Sequence, residues 1–210
     1  MANNKHERSW LRLDIPFSAA SERNKFTILQ VLKKYLASAR SVLEIGSGTG
    51  QHCIYFAREL PHLLWHPSDL SENISTIELR IQEYPSENLL PPLVLEIGKN
   101  EIPSCSFDAI FTANTMHILI PELCLKLFQE SANALDKNGL LIIYGPFHYN
   151  GRPTGEGNAI FDRNLKRMGQ DMGIKDMDQI ILWASENNFV LLDDHAMPVD
   201  NRTLVFSKII

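Results

Sequence analysis

The sequence predicts a doubly wound α/β fold: a mostly parallel, seven-stranded sheet with helices on both faces and a C-terminal antiparallel hairpin. Three observations carry that prediction. Strand-like and helix-like segments alternate from residue 18 to residue 147, the pattern that builds parallel sheets through crossover helices. A glycine-rich turn follows the first strand directly. The last two strand-like runs have no helix between them, so they pair antiparallel.

The elements follow in order. Ser18 can cap a helix over residues 18–36, with Ile28, Val31, Leu32 and Leu36 on one face. Residues 41–45 are a short aliphatic strand ending in glycines. Residues 51–60 carry Cys53, Phe56, Ala57 and Leu60 at helical spacing, and Pro61 stops that helix. Residues 63–66 form a second strand. Ser71 caps a helix whose inner face reads Ile74, Ile77 and Ile81. Residues 93–97 and 107–113 are the third and fourth strands. Pro121 opens a helix that Gly139 closes, with Leu123, Leu127, Phe128 and Leu135 inward. Residues 140–144 are the fifth strand. A helix over 177–187 turns Ile180, Ile181 and Ala184 inward, and strands at 189–197 and 203–209 meet at a turn on Asp200 and Asn201.

Composition narrows the classes of function. At 210 residues the chain has the length of a single α/β domain, with residues 1–17 as an N-terminal arm. Hydrophobic residues make up 44% and charged residues 21%, which excludes disorder of the whole chain. A net charge of −5 without a Lys/Arg stripe argues against nucleic acid as the main partner. The three cysteines, Cys53, Cys105 and Cys124, are widely spaced and fit reduced thiols rather than a metal or redox motif. His62 and His66 are four apart, but Pro61 and the strand that follows remove the helix that would align them on a metal. No apolar run reaches the length of a membrane span, and residues 1–12 lack the apolar core of a signal peptide. A cytoplasmic location is expected, and the oligomeric state is left open.

The most informative stretch is Ser41-Val42-Leu43-Glu44-Ile45-Gly46-Ser47-Gly48-Thr49-Gly50. Glycines let the backbone turn tightly and approach a ligand closely. The helix that follows offers free N–H groups to a carboxylate or phosphate. A P-loop needs Gly-Lys-Ser/Thr, and no lysine occurs here. A dinucleotide fingerprint needs a third glycine where Gln51 stands. What remains is E-x-G-x-G-x-G, which resembles the first motif of class I S-adenosylmethionine-dependent methyltransferases.

Further positions carry the resemblance. Asp69 follows the second strand, where an acidic side chain would accept hydrogen bonds from two ribose hydroxyls; the alternative is a helix cap beside Ser71. Glu96 and Ile97 end the third strand, where such enzymes contact adenine. Phe107-Asp108-Ala109-Ile110 and Asn114-Thr115-Met116-His117 look like the fourth strand and its cofactor-facing loop. Lys137-Asn138-Gly139 resembles the turn before strand five, with Asn138 and Leu140 where proline and a second glycine are common.

A narrower resemblance spans nearly the whole chain. Residues 20–25, the Gly48-Thr49-Gly50-Gln51-His52 run, Trp65-His66-Pro67-Ser68-Asp69 and Tyr144-Gly145-Pro146-Phe147 are similar to the methyltransferase-like family DUF938 (UPF0585). So are Gly151, Asn158, Phe161, Asp162 and residues 201–206. Departures are small: Gly46 precedes Ser47 where Ala-Ser is also familiar, and Glu96 stands where Asp is usual. The resemblance implies a Rossmann-like methyltransferase fold and S-adenosylmethionine as cofactor, held by Arg23, Glu44, Gly46, Gly48, Gly50, Asp69, Glu96, Ile97 and Asn114. It implies no particular substrate.

Methyl transfer from a sulfonium needs the two reactants placed together, and a base only where the acceptor loses a proton. The catalytic candidates are Asn114, His117 and Tyr144, at the ends of strands four and five. The segment 148–173 is rich in glycine and proline and reads as a lid or substrate loop. Its Arg152 and Asn158, with Arg23, Asn114 and Tyr144, are expected to frame a small, partly anionic acceptor. A plain surface excursion with a short helix over 158–168 is the other reading of this segment. Three functions compete: methyl transfer to a small molecule, methyl transfer to protein or RNA, and non-catalytic binding of S-adenosylmethionine or its product.

Overall fold

The alternating segments form one seven-stranded sheet flanked by helices on both faces. The computed structural model describes residues 15–103, 107–169 and 171–210. Residues 1–14, most of the expected N-terminal arm, and Cys105 lie outside them. The order is α1 (Ala19–Tyr35), β1 (Ser41–Ile45), α2 (Gln51–Glu59), β2 (Leu64–Asp69), α3 (Ser71–Glu83), β3 (Leu93–Val94), β4 (Phe107–Ala113), α4 (Pro121–Ala134) and β5 (Leu135–Pro146). There follow β6 (His148–Tyr149), β7 (Arg152–Pro153), α5 (Glu156–Met168), α6 (Met177–Glu186), β8 (Phe189–Met197) and β9 (Asn201–Lys208).

The sheet order is β3-β2-β1-β4-β5-β9-β8. β1 to β5 run parallel, while β9 lies antiparallel between β5 and β8. Strand order therefore reverses between β1 and β4, and a crevice opens outside their carboxyl ends. Alternate side chains feed two cores. Leu43, Ile110, Leu141 and Ile143 face α4 and α6. Val42, Ala109, Phe111 and Ile142 face α1, α2 and α3, around Trp65 and Phe56. No described helix is long and apolar enough to cross a membrane. Cys53 and Cys124 are free, buried thiols.

Several boundaries differ from the expected ones. Ser18 caps α1, its hydroxyl accepting from Ser21 N at 3.2 Å. Ser71, however, is the first residue of α3, and the cap position belongs to Leu70. Helix α4 ends at Ala134 rather than at Gly139, because Leu135 turns extended and pairs with Phe107. Asn138 then adopts a left-handed conformation before the chain rejoins β4 at Leu140. Strand β3 is only two residues long. It has one neighbour, and Gly98, at φ +86°, turns the chain away. The turn between β8 and β9 sits on Val199 and Asp200, so β9 begins at Asn201. Residues 148–153 form a two-residue hairpin, whose turn holds Asn150 and Gly151 at positive φ, and α5 follows.

Candidate functional site

The glycine turn leaves β1 at the crevice with Gly46, Gly48 and Gly50 all at positive φ. Gly46 lies so close to the β4 loop that a Cβ there would sit 2.8 Å from Thr115 Oγ1. A Cβ on Gly48 would meet nothing within 4 Å, so this residue borders open space. The turn is fixed from behind. Gly46 N and Ser47 N both donate to Ser68 O at 3.0 Å, and Ser68 Oγ donates to Glu44 O at 2.7 Å. Gln51, at the start of α2, bonds Ser18 N and Thr49 Oγ1 through its oxygen, tying α1 to the loop.

Asp69 ends β2 beside this turn. One carboxylate oxygen accepts from Gly48 N at 2.5 Å, and the other from Leu70 N and Asn73 Nδ2, both at 2.7 Å. These bonds hold a nearly buried carboxylate at the edge of the crevice. Beyond it, Leu95, Ile97, Ile118, Leu119 and Leu123 give the crevice an apolar wall. Met172, from the segment after α5, completes that wall. Glu96 lines the same space, with its carboxylate paired to Lys99 at 2.7 Å.

Three clefts meet at one residue. The first, about 460 Å³, holds Gly46, Gly48, Asp69, Glu96 and Ile97. The second, about 370 Å³, runs over the glycine turn between Ser18, His52, His117 and Phe161. The third, about 410 Å³, lies between the start of α1, Tyr144 and the β8–β9 turn, with Arg23 and Asn24 on its wall. Asn114 lines all three. It takes φ 61°, a left-handed conformation that asparagine tolerates better than most residues. Its N–H donates to Tyr144 O at 2.8 Å, which joins the ends of β4 and β5.

Burial dominates the titration of the groups here. Burial pushes Glu44 up to about 7, against opposing hydrogen bonds from Trp65 and Ser47. His52 is pushed down to about 4 by burial, and so is His117, where the Lys175 charge adds to the effect. Both imidazoles are therefore neutral near pH 7. His117 meets Phe161 edge-on at 5.0 Å. His52 Nε2 lies 2.7 Å from Asn24 Oδ1. The Asn24 amide also hydrogen-bonds the Tyr144 hydroxyl. Burial raises the Tyr144 hydroxyl, while Asn24 and the Arg23 charge favour its ionised form.

The expected site residues separate into groups. Gly46, Gly48, Asp69, Glu96, Ile97 and Asn114 share the first cleft. His117 lines the second, and Arg23 and Tyr144 the third, with Asn114 common to both. Glu44 lies beneath the loop, 1% exposed, and lines none of the clefts; its Oε2 accepts from Trp65 Nε1 at 2.8 Å. Gly50 packs against Arg80 and Ile77 at the start of α2. Arg152 is exposed on β7, outside these clefts. Asn158 is buried, and its amide donates to Thr154 Oγ1 at 2.8 Å and Asp200 O at 3.0 Å, gripping the β8–β9 turn. Sequence reasoning missed three participants. His52 stood in a family run without a role, Thr115 backs Gly46, and the Pro198–Val199–Asn201 wall carries no sequence signal because Val-Asp is not a usual hairpin turn pair. Among the described residues, no group of three or more His, Cys, Asp or Glu is placed to hold a metal ion.

Solved structures with a similar fold include methyltransferases. The apo crystal structure of the S-adenosylmethionine-dependent methyltransferase SibL superposes with a TM-score of 0.75 at 19% identity, over 91% of this chain and 56% of that one. An O-methyltransferase family 2 protein from Planctomyces limnophilus DSM 3776, in complex with apigenin, gives a TM-score of 0.80 at 14% identity, over 90% and 58%. PigF with S-adenosylhomocysteine gives 0.74 at 14% identity, over 87% and 61%. The chain thus spans little more than half the length of these proteins, and at such identities the likeness is one of fold. The fold is that of the Rossmann-like methyltransferases. The family model described as "Protein of unknown function (DUF938)" matches residues 15–208, and the chain belongs to that family.

Proposed function

We propose that this protein transfers a methyl group from S-adenosylmethionine to a small-molecule acceptor. The observation that carries the reading is the meeting of three clefts at Asn114, at the carboxyl ends of β1 and β4. The residues present fit the cofactor. The apolar wall of the first cleft suits adenine, the Asp69 carboxylate suits a ribose diol, and the open face of Gly48 leaves room for a ligand against the backbone. The start of α2 supplies a partial positive end for the cofactor's carboxylate. When bound, the cofactor supplies an electrophilic methyl carbon whose carbon–sulfur electron pair stays on sulfur as the acceptor's lone pair forms the new bond.

The chain's own contribution is placement. Asn114 separates the donor clefts from the third cleft, which we assign to the acceptor. Tyr144, facing that cleft, is kept protonated by burial and can donate its hydroxyl hydrogen bond to an acceptor oxygen. Neutral His117 borders the donor cleft, where it can hold a proton or a water at its ring nitrogen. Segment 148–173 acts as a cover: Phe161 and Met172 extend from it into the clefts and would exclude water. Glu44 supports the loop from below. We place the reaction in the cytoplasm, where buried free thiols such as Cys53 and Cys124 stay reduced.

The test is calorimetry with S-adenosylhomocysteine, NAD and ATP, followed by product analysis with labelled methyl donor. The expected dissociation constant for S-adenosylhomocysteine is on the order of micromolar, with no heat from NAD or ATP. NAD binding without S-adenosylhomocysteine binding would overturn the assignment. Binding without any transfer to small molecules would leave a cofactor-binding protein instead of an enzyme of this class.

A further inference from the structure

The wall of the third cleft carries hydrogen-bond donors that nothing among the described residues uses. Arg23 forms no ion pair with a carboxylate among the described residues, and no Asp or Glu lines this cleft. The Asn114 side chain has no hydrogen-bond partner among the described residues, since its only bond comes from the backbone N–H. Tyr144 is approached by the NH2 of Asn24, whose oxygen is held by His52, so the phenolic proton is left for another acceptor. In a chain of net charge −5, an arginine without a carboxylate at a cleft mouth is a local exception to the prevailing field.

The other side of the cleft is formed by the β8–β9 turn. It presents Pro198 and Val199 beside Asn201. Val199 is β-branched and sits at φ 59°, a conformation such residues rarely adopt. The turn is fixed by its neighbour. Asp200 O accepts from Asn158 Nδ2 at 3.0 Å and from Thr154 Oγ1 at 3.2 Å. The Asp200 carboxylate lies against Gly155, where a Cβ would come within 2.2 Å of it. The start of α5 therefore grips the hairpin and keeps Val199 at the cleft.

We propose that the methyl acceptor is a small organic anion, whose carboxylate or equivalent planar oxyanion is taken by Arg23 and whose flat apolar body lies against Pro198 and Val199. This rests on the reading of the third cleft as the acceptor side. Guanidinium binds planar oxyanions through paired hydrogen bonds, and an exposed arginine pays little desolvation to do so. A neutral acceptor would leave the guanidinium unmatched. A cationic one would be repelled by it. The remaining donors, Asn114 and Tyr144, lie toward the donor clefts and suit the reactive hydroxyl rather than the charge.

The experiment uses the full chain saturated with S-adenosylhomocysteine and titrated with benzoate, salicylate and 4-hydroxybenzoate, each beside its carboxamide. At least one acid should bind about tenfold or more tightly than its amide, the scale of one charge-assisted hydrogen-bond pair. Arg23→Ala should reduce that acid to the level of its amide, and Arg23→Lys should keep part of the preference. Arg152→Ala, altered outside the clefts, should change neither. Val199→Gly should weaken acid and amide alike. Acids and amides binding equally, no acid binding at millimolar concentration, or a preference that survives Arg23→Ala would each overturn the proposal. The preceding titration with S-adenosylhomocysteine separates the two claims: its failure sinks the cofactor reading, and its success without acid preference sinks only this inference.

Discussion

Replacing Glu44 by glutamine isolates what it costs to bury a carboxylate beneath the glycine turn. The side chain is 1% exposed and is held by Trp65 Nε1 at 2.8 Å. Burial pushes its pKa from 4.5 up to about 7, and the nearby Asp69 charge adds to the displacement. A displacement of that size corresponds to roughly 3 kcal/mol between the two protonation states. The direction follows from proton counting. At acid pH both the folded and the unfolded chain carry the proton. As pH rises through the unfolded value, the unfolded chain releases it while the folded chain keeps it, and stability falls. Once pH exceeds about 7, both states are ionised and the loss is complete.

Glutamine does not titrate, and its amide oxygen can still accept from Trp65. The stability of Glu44→Gln relative to the natural chain should therefore climb by about 2–3 kcal/mol between roughly pH 5 and pH 8. That is a shift of about 5–10 °C in Tm for a chain of this size. The absolute curve of either protein has the opposite slope in part of this range. His52 and His117 are held neutral, at about 4, so each contributes stability that is present above its unfolded pKa and lost as pH falls toward 4. Only the difference between the two proteins reports Glu44. Urea unfolding at half-unit pH steps supplies it, and a difference that stays flat or narrows as pH rises refutes the reasoning.

Two further substitutions separate support from binding. Asp69→Ala removes the acceptor for Gly48 N, Leu70 N and Asn73 Nδ2, so it should cost about 1–3 kcal/mol of stability and weaken S-adenosylhomocysteine by a similar amount. Asp69→Asn should keep part of both, and calorimetry giving unchanged affinity in a folded Asp69→Ala protein would reduce Asp69 to a loop support. Val199→Asn places a residue suited to left-handed geometry in the β8–β9 turn and should raise stability by about 1 kcal/mol, read as a rise in Tm; a fall would show that the valine's apolar contacts outweigh its backbone strain.

The glycine turn was legible because it is local. Glu44 to Gly50 is one uninterrupted run, and its spacing excludes a P-loop and a dinucleotide fingerprint without reference to anything distant. The strands and helices were legible for the same reason, since aliphatic runs and helical spacing are short-range patterns. The element boundaries that moved did so under long-range pressure. Leu135 left its helix to pair with Phe107, and β3 shortened because it has only β2 beside it. Arg152 and Asn158 were expected together because both lie in the glycine-rich segment. The hairpin of β6 and β7 carries Arg152 at an exposed position, while α5 turns Asn158 onto Asp200, forty-two positions away.

The third cleft could not be read from spacing because no two of its walls are neighbours in the chain. Arg23 and Asn24 come from the first helix, Tyr144 from the fifth strand and Val199 from the last hairpin. One local fact joins them. Asn114 leaves β4 in a left-handed conformation and gives its N–H to Tyr144 O, so the chain bends at the level where β5 presents its tyrosine. The same bend sets Thr115 against Gly46, close enough that the glycine turn admits no Cβ there. A single backbone excursion therefore shapes two clefts at once: it forces glycine at position 46 and joins the end of β4 to Tyr144 on the wall of the third cleft. In the proposed assignment, specificity can then change through Arg23 or Val199, which line the third cleft but not the first, where Gly46 and Gly48 lie.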